Sequence, residues 1–298
     1  FDCQNKEDNK MKIAILNISI GRYSIFWEDF YKTCEMNFIP EVKKDYYVFT
    51  DCKKMYREND DRVKIIHQEN LGWPFNTMKR FHMFKRVEDK LVDYDYVFFI
   101  NGNALFKEEL SKDFIKKDKS IITIIHPGIF GTPRVKMPFE RNPESNAYIG
   151  FGEGKYYVQG AFIGGTGKAF VEMIDELDIL TEDDLKKDII AVWHDESFLN
   201  KYILNRNDVQ IMGRQYLYYE EYVFPWNPII LLRNKRAYGD LKGFRGLGKE
   251  KSLDDIKNKV LLNIRNVIYK LGIILKVIKF IQYKDDYGYV DIDLNTES

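Results

Sequence analysis

Residues 94–103 read Tyr94-Asp95-Tyr96-Val97-Phe98-Phe99-Ile100-Asn101-Gly102-Asn103. From Tyr94 to Ile100 the extended chain would be apolar on both faces, the mark of a strand covered on both sides. It predicts a central strand of an α/β sheet. Asn101, Gly102 and Asn103 end it abruptly, and the carboxyl ends of such strands are where α/β proteins place ligands. N-terminal to it, residues 11–20 form an Ile-rich run that predicts a first buried strand, broken at Gly21 and followed by Tyr23. Residues 25–38 carry the three-and-four spacing of an amphipathic helix, and residues 46–50 and 63–66 read as further strands. Residues 77–87 predict a helix leading into the central strand.

C-terminal to it, residues 121–125 predict a buried strand that closes at His126, Pro127 and Gly128, and residues 133–143 read as loop. Residues 156–163 are strand-like and meet Gly164, Gly165 and Thr166, which lead into a helix near Lys168. Thr181-Glu182-Asp183-Asp184 predicts the start of a second helix, and Trp193-His194-Asp195-Glu196 precedes an amphipathic helix through Leu199 and Ile203. Gly239, Gly243, Gly246 and Gly248 mark a flexible stretch, so the core domain is expected over residues 11–245. Residues 252–284 differ in character: Ile, Leu and Val are interrupted by Lys257, Lys259, Arg265, Lys270, Lys276, Lys279 and Lys284, with no acidic residue after Asp255. A spanning helix needs roughly 20 predominantly apolar residues, so residues 246–298 read as a basic amphipathic extension with an acidic tail. It would lie in a bilayer interface or pack on the catalytic domain or a partner.

With 298 residues and 45% apolar content the chain can bury a large core. Lys plus Arg, 46, equals Asp plus Glu, 46, which leaves no basic excess for a nucleic-acid partner. Cys3, Cys34 and Cys52 form no CxxC pair and leave one cysteine over in any disulfide scheme. That favours a reducing, cytoplasmic setting, with a peripheral contact at the inner face of the membrane through residues 252–284. Residues 1–10 are polar, lack a signal-peptide core and read as a disordered or added leader.

Several polar constellations sit at the predicted strand and helix ends. Asn101 and Asn103 offer carboxamide donors and acceptors to a sugar or ribose, or form a plain Asn-Gly turn. His194, Asp195 and Glu196 place two carboxylates at a helix N-terminus, where they serve either catalysis or capping. His126 reads as a pocket residue or a structural strand-end histidine. The aromatic residues near these loops, Trp73, Tyr148, Tyr156, Tyr157, Trp193, Tyr216, Tyr218 and Tyr219, suit stacking on sugar faces or filling the core.

Together these stretches resemble the family 6 glycosyltransferases, the group of the blood group A and B transferases and α1,3-galactosyltransferases. The most specific is Trp193-His194-Asp195-Glu196-Ser197-Phe198-Leu199-Asn200-Lys201-Tyr202, similar to the family's WHDES-x-LNKY almost letter for letter. Tyr46-Tyr47-Val48-Phe49-Thr50-Asp51, His126-Pro127-Gly128, Phe139-Glu140-Arg141, Ala147-Tyr148-Ile149 and Gly164-Gly165 support it, in order and at compatible spacing.

The resemblance implies a GT-A fold: a Rossmann-like nucleotide-binding half with a mixed central sheet, abutting an acceptor-binding half. It implies a retaining α1,3-glycosyltransferase that moves galactose or N-acetylgalactosamine from UDP to a β-galactoside-terminated, sometimes fucosylated glycan. By position, Ile18, Ile20 and Tyr23 match residues that hold the uracil, and Arg80 matches an arginine near the diphosphate and sugar. Lys242 matches a C-terminal lysine on the diphosphate, and Asp195 matches an aspartate bonded to the transferred sugar. Glu196 matches the glutamate under the β face of the anomeric carbon, acting as nucleophile or as electrostatic stabiliser. His126 and Trp193 match acceptor contacts, and Tyr219 stands where the family has an acidic acceptor-side residue. Gln159-Gly160-Ala161 matches the donor-selecting triplet and resembles its galactose-preferring form.

Asn101 and Asn103 replace the Asp-x-Asp of mammalian members, as in metal-independent bacterial relatives, so no metal cofactor is expected. The diphosphate charge then falls to Arg80, Lys242 and either Arg245 or Lys235. An inactive carbohydrate-binding protein and a UDP-sugar hydrolase are the competing expectations.

Overall fold

The computed structural model describes residues 11–224, 227–239, 241–244 and 292–293. The chain opens with β1 (Ile13–Ile18), α1 (Trp27–Asn37), β2 (Lys44–Thr50) and β3 (Val63–His67). Three short helices, α2 (Phe75–Met78), α3 (Arg80–Lys85) and α4 (Glu88–Leu91), lead into β4 (Tyr96–Ile100) and β5 (Ala104–Phe106). Next come β6 (Ile121–Ile125), β7 (Val158–Thr166), α5 (Gly167–Lys186), α6 (Asp195–Ile203) and β8 (Val209–Met212). The last described elements are β9 (Leu217–Tyr219), β10 (Ile230–Leu232), α7 (Leu241–Phe244) and β11 (Ile292–Asp293).

The main sheet has the order β11-β8-β6-β7-β4-β1-β2-β3. The strands β1 to β4 run parallel, β7 is antiparallel to both of its neighbours, and β6 pairs in parallel with β8. A second, three-stranded sheet has the order β5-β10-β9.

Alternation of side chains explains why the middle strands are apolar throughout. Ile13, Ile15, Phe98 and Ile100 enter one core cluster, whereas Ala14, Leu16, Val97 and Phe99 enter the other. Helix α1 covers the first face with Trp27, Phe30, Tyr31 and Cys34. The opposite face is covered by Phe81, Met83 and Phe84 of α3, Phe170, Met173, Ile174 and Leu177 of α5, and Phe198 and Leu199 of α6. Helix α5 begins after Thr166, whose hydroxyl accepts the Ala169 N–H at 3.3 Å.

Two helix expectations are corrected. The helix expected over residues 77–87 is broken at Lys79, which leaves the helical region at φ −85° and ψ 13° and closes α2. Arg80 thereby becomes the first residue of α3. The start signal at Thr181 to Asp184 lies inside the single helix α5. Its side chains serve other partners: the Thr181 hydroxyl donates to the Leu177 carbonyl at 2.7 Å, and the buried Asp184 carboxylate accepts from the Ser145 hydroxyl at 2.6 Å and the Asn146 N–H at 2.8 Å.

Strands β2 and β3 lie on one side of β1, and β4 lies on the other. The chain therefore changes direction between the carboxyl ends of β1 and β4, and open α/β sheets present their ligand crevice at that place. Among the described residues no helix is long and apolar enough to cross a membrane. The amphipathic segment expected over 252–284 lies outside the described residues.

Gly164 and Gly165 belong to β7, and their role is packing. A Cβ on Gly164 would strike the Phe98 ring, and one on Gly165 would sit 2.6 Å from the Ser120 carbonyl oxygen. We expect Gly165→Ala to lose about 1–3 kcal/mol of stability, read as a lower urea midpoint with an unchanged slope. An unaltered midpoint would contradict the close approach.

Candidate active site

Gly160, the third residue of β7, is the point on which the charged groups converge. Its N–H donates to Glu196 Oε2 at 2.6 Å, and its carbonyl accepts from Arg80 Nη1 at 2.6 Å. A Cβ there would lie 3.2 Å from Asp195 Oδ2, a close approach, and 3.4 Å from both Arg80 Nη1 and Glu196 Cβ. Arg80 Nη1 also lies 2.5 Å from Asp195 Oδ2, a charge contact with both side chains less than a tenth exposed. The guanidinium rests on the Phe99 ring, 4.3 Å from its centroid. The other oxygen of Glu196, Oε1, accepts from the Tyr157 hydroxyl at 2.8 Å.

Sequence order brings the two carboxylates here through α6. Asp195 and Glu196 occupy its first turn, where free amide groups favour anions. His194, the residue before the helix, adopts φ 53° and ψ −128° and makes no side-chain capping bond. For a non-glycine residue that conformation costs about 1–3 kcal/mol, and it aims the first turn of α6 at β7. The Ser197 hydroxyl reaches back to accept the Trp193 N–H at 3.0 Å.

Burial dominates the electrostatics. It pushes the Asp195 carboxyl up to about 7, against the pull of Arg80, while neighbouring Glu196 pushes it further up. Burial also raises Glu196, and the Gly160 N–H, the Tyr157 hydroxyl and Arg80 oppose the rise.

A cleft of about 170 Å³ opens at the carboxyl ends of β1 and β4, in the crevice the topology creates. Ile18, Ile20, Tyr23, Arg80 and Asn101 line it, together with Trp73, Asn76, Thr77, Lys235 and Phe244. The structure thus gathers Ile18, Ile20, Tyr23 and Arg80, which sequence position matched to donor contacts, in one cleft. Lys235 donates to the Tyr23 hydroxyl at 2.7 Å, which places this ammonium at the cleft. The Lys242 side chain and Arg245 lie outside the described residues.

Asn103 does not line the cleft. It is 2% exposed, and its Nδ2 donates to the Arg233 carbonyl at 2.7 Å. Arg233 in turn holds the Asn103 carbonyl through its N–H at 3.0 Å, and its guanidinium reaches Asp29 at 2.7 Å and the Phe26 carbonyl at 3.2 Å. Neutral carboxamides, one of them turned onto a protein carbonyl, are a poor donor set for a divalent cation. Among the described residues only His82, Asp178 and Glu182 converge like metal ligands. They lie between α3 and α5, where Lys79 pairs with Glu182 and Lys85 with Asp178.

His126 and Tyr219, both matched by position to acceptor contacts, form an aromatic corner with Tyr157 beside Glu196. His126 Nδ1 accepts the Gly128 N–H at 3.1 Å, which leaves the ring proton on Nε2, 3.5 Å from the Tyr219 hydroxyl. Trp193, the other residue matched to an acceptor contact, is 50% exposed. Gln159 is fully buried, with Nε2 donating to the Leu217 carbonyl at 3.3 Å, and Ala161 accepts the Asn101 N–H at 2.9 Å. Sequence reading gave no role to Asn76, Thr77 or Phe244 and left Tyr157 undistinguished among the aromatic residues. No spacing marks these positions, because chain segments far apart in sequence bring them to the cleft.

Arg80→Met would leave Asp195 buried without its cation, a change worth about 3–5 kcal/mol. Asp195 holds its proton to higher pH in the folded chain than the ordinary carboxylate value of about 4. Between those values the folded state binds more protons, so stability falls as pH rises. Loss of Arg80 moves the folded value higher still. The penalty should therefore grow as pH rises above about 7 and shrink toward about pH 5 in urea unfolding; an equal penalty at about pH 5 and about pH 9 would contradict the pairing.

Comparison with known proteins accords with this geometry. A family model described as Glycosyltransferase family 6 matches residues 4–236. The O-antigen biosynthesis glycosyltransferase WbnI of Escherichia coli is 37% identical over 236 residues, which are 78% of this chain and 100% of WbnI. The globoside alpha-1,3-N-acetylgalactosaminyltransferase 1 of Gallus gallus is 28% identical over 70% of this chain and 62% of that enzyme. The histo-blood group ABO system transferase 2 of Rattus norvegicus is 25% identical over 73% of this chain and 66% of that enzyme. The matched span covers strands β1 to β10 and every group around Gly160, and the mixed α/β architecture is a GT-A-like fold. The chain belongs to glycosyltransferase family 6 and is a glycosyl-transferring enzyme.

Proposed function

We propose that this glycosyltransferase moves galactose, or N-acetylgalactosamine, from a UDP donor to a β-galactoside, forms an α1,3 bond with retention, and does so without a metal ion. The observation that carries the reading is the Glu196 carboxylate, fixed through both oxygens beside the Arg80–Asp195 pair, of which Arg80 lines the cleft. Uracil and ribose would occupy the end formed by Ile18, Ile20, Tyr23 and Asn101. The diphosphate would lie toward Lys235 and Arg80, and ammonium and guanidinium groups are effective phosphate partners.

In the reaction the bond from the anomeric carbon to the diphosphate breaks, and UDP departs with the electron pair. Glu196 and Asp195 face the positive charge that develops on the sugar, and a fixed anion in a buried site stabilises such charge strongly. The acceptor hydroxyl, held near His126, Tyr219 and Trp193, then bonds to the anomeric carbon. Its proton passes to the departing diphosphate. Retention requires entry on the face UDP left, or a transient covalent bond to Glu196 that the acceptor displaces. The α1,3 linkage is supported by the name of the Gallus gallus relative, and a glycan-assembly setting by that of WbnI. The triplet Gln159-Gly160-Ala161 resembles the galactose-preferring form of the family, which supports galactose over its acetamido analogue.

The test is a panel of UDP-galactose and UDP-N-acetylgalactosamine against β-galactosides, with and without fucose, run in excess chelator. We expect transfer in chelator at the rate seen with Mn²⁺ and faster turnover of UDP-galactose. Strong activation by Mn²⁺ would refute metal independence. Turnover blind to the acceptor would make the protein a UDP-sugar hydrolase, and no turnover at all a binding protein.

A further inference from the structure

We propose that Tyr157 is a positioning residue that holds the Glu196 carboxylate in its reactive orientation and couples it to the acceptor corner. The inference rests on the reading of Glu196 as the residue at the transferred sugar. The Tyr157 hydroxyl donates to Glu196 Oε1 at 2.8 Å while the Gly160 N–H holds Oε2 at 2.6 Å, so the carboxylate is clamped from two sides. The Tyr157 side chain is itself fixed. It is 2% exposed, its ring packs on Phe139 at 5.3 Å between centroids, and its edge meets His126 at 5.9 Å. Its carbonyl accepts the His126 N–H at 2.8 Å, so a displacement of the acceptor-side histidine is transmitted to the residue that orients Glu196.

The titratable groups around Glu196 are Asp195 beside it on α6, Arg80 from α3, Tyr157, and Tyr219 from β9 with His126 at its hydroxyl. Among these side chains Tyr157 is the one whose hydrogen bond to the Glu196 carboxylate the structure shows, and there it acts as donor. Burial and the neighbouring carboxylate hold its phenol far above the ordinary range, so it keeps its proton over the whole working range. A donor of this kind favours the ionised carboxylate and fixes the direction of its lone pairs. Loss of one hydrogen bond to a charged group corresponds to about a ten- to hundred-fold change in rate.

The test uses the full chain with Tyr157→Phe, which removes the hydroxyl and keeps the ring. With UDP-galactose and UDP-N-acetylgalactosamine as donors, kcat should fall about ten- to a hundred-fold while UDP affinity and the unfolding midpoint stay within about twofold and a few degrees. The acid limb of the rate profile should move to higher pH, because the ionised form of Glu196 loses a donor. A purely structural tyrosine would leave kcat and the acid limb unmoved in Tyr157→Phe, and that result overturns the inference. Wild-type protein inactive on both sugars would overturn the proposed donor reading and the inference with it. An active wild type with an indifferent variant overturns the inference alone.

Discussion

The absence of a side chain at Gly160 is the constraint on which the site depends. One peptide unit of β7 presents its N–H to Glu196 and its carbonyl to Arg80, and the Arg80–Asp195 pair closes the ring of contacts. A methyl group at that position would come within 3.2 Å of Asp195 Oδ2 and touch Arg80 Nη1 and Glu196 Cβ at 3.4 Å. The cluster is expensive to bury, since removing such charges from water costs several kcal/mol per ion, and pairing recovers it only in part. The raised carboxyl of Asp195 shows the same cost in another form. A fold selected for stability alone would place apolar side chains here, so the cluster is best understood as chemistry that the surrounding core has to support.

The sheet explains how that support is arranged. Reversal of the chain between β1 and β4 opens the crevice, and β7 runs antiparallel through the centre, so Gly160 lies beside the crevice rather than at its mouth. The small sheet of β5, β10 and β9 braces the other side. Arg233 joins the Asn103 loop to the segment that carries Tyr23 and to Asp29 of α1. In this chain a buried guanidinium therefore fixes the loop after β4, and Asn101 and Asn103 divide their labour: one faces the cleft, the other holds the brace.

Much of the fold was legible because buried strands announce themselves by continuous apolar runs, as residues 96–100 and 121–125 do. The two carboxylates and the cleft residues Ile18, Ile20, Tyr23, Arg80 and Asn101 were legible through motif order. Thr181 to Asp184 misled because the same residue types that cap helices also make tertiary bonds from a helix interior. The break at Lys79 was hidden because helix propensity is indifferent to a single non-helical junction between two short turns. Roles for Tyr157 and Arg233 could not be read from local sequence. Tyr157 meets Glu196 across 39 positions and Arg233 meets Asn103 across 130, and only the fold sets those distances.

The central claim is that the carboxylate clamped at Gly160 performs the chemistry rather than merely sharing a charge cluster. Glu196→Gln keeps the size of the side chain and its acceptor for the Gly160 N–H while removing the charge. The direct measurement is UDP binding by calorimetry alongside turnover of UDP-galactose in the same preparation. The account predicts UDP affinity within about threefold of wild type and turnover reduced by about a thousandfold or more, the scale of a lost electrostatic stabiliser. Turnover near the wild-type rate in Glu196→Gln would contradict it.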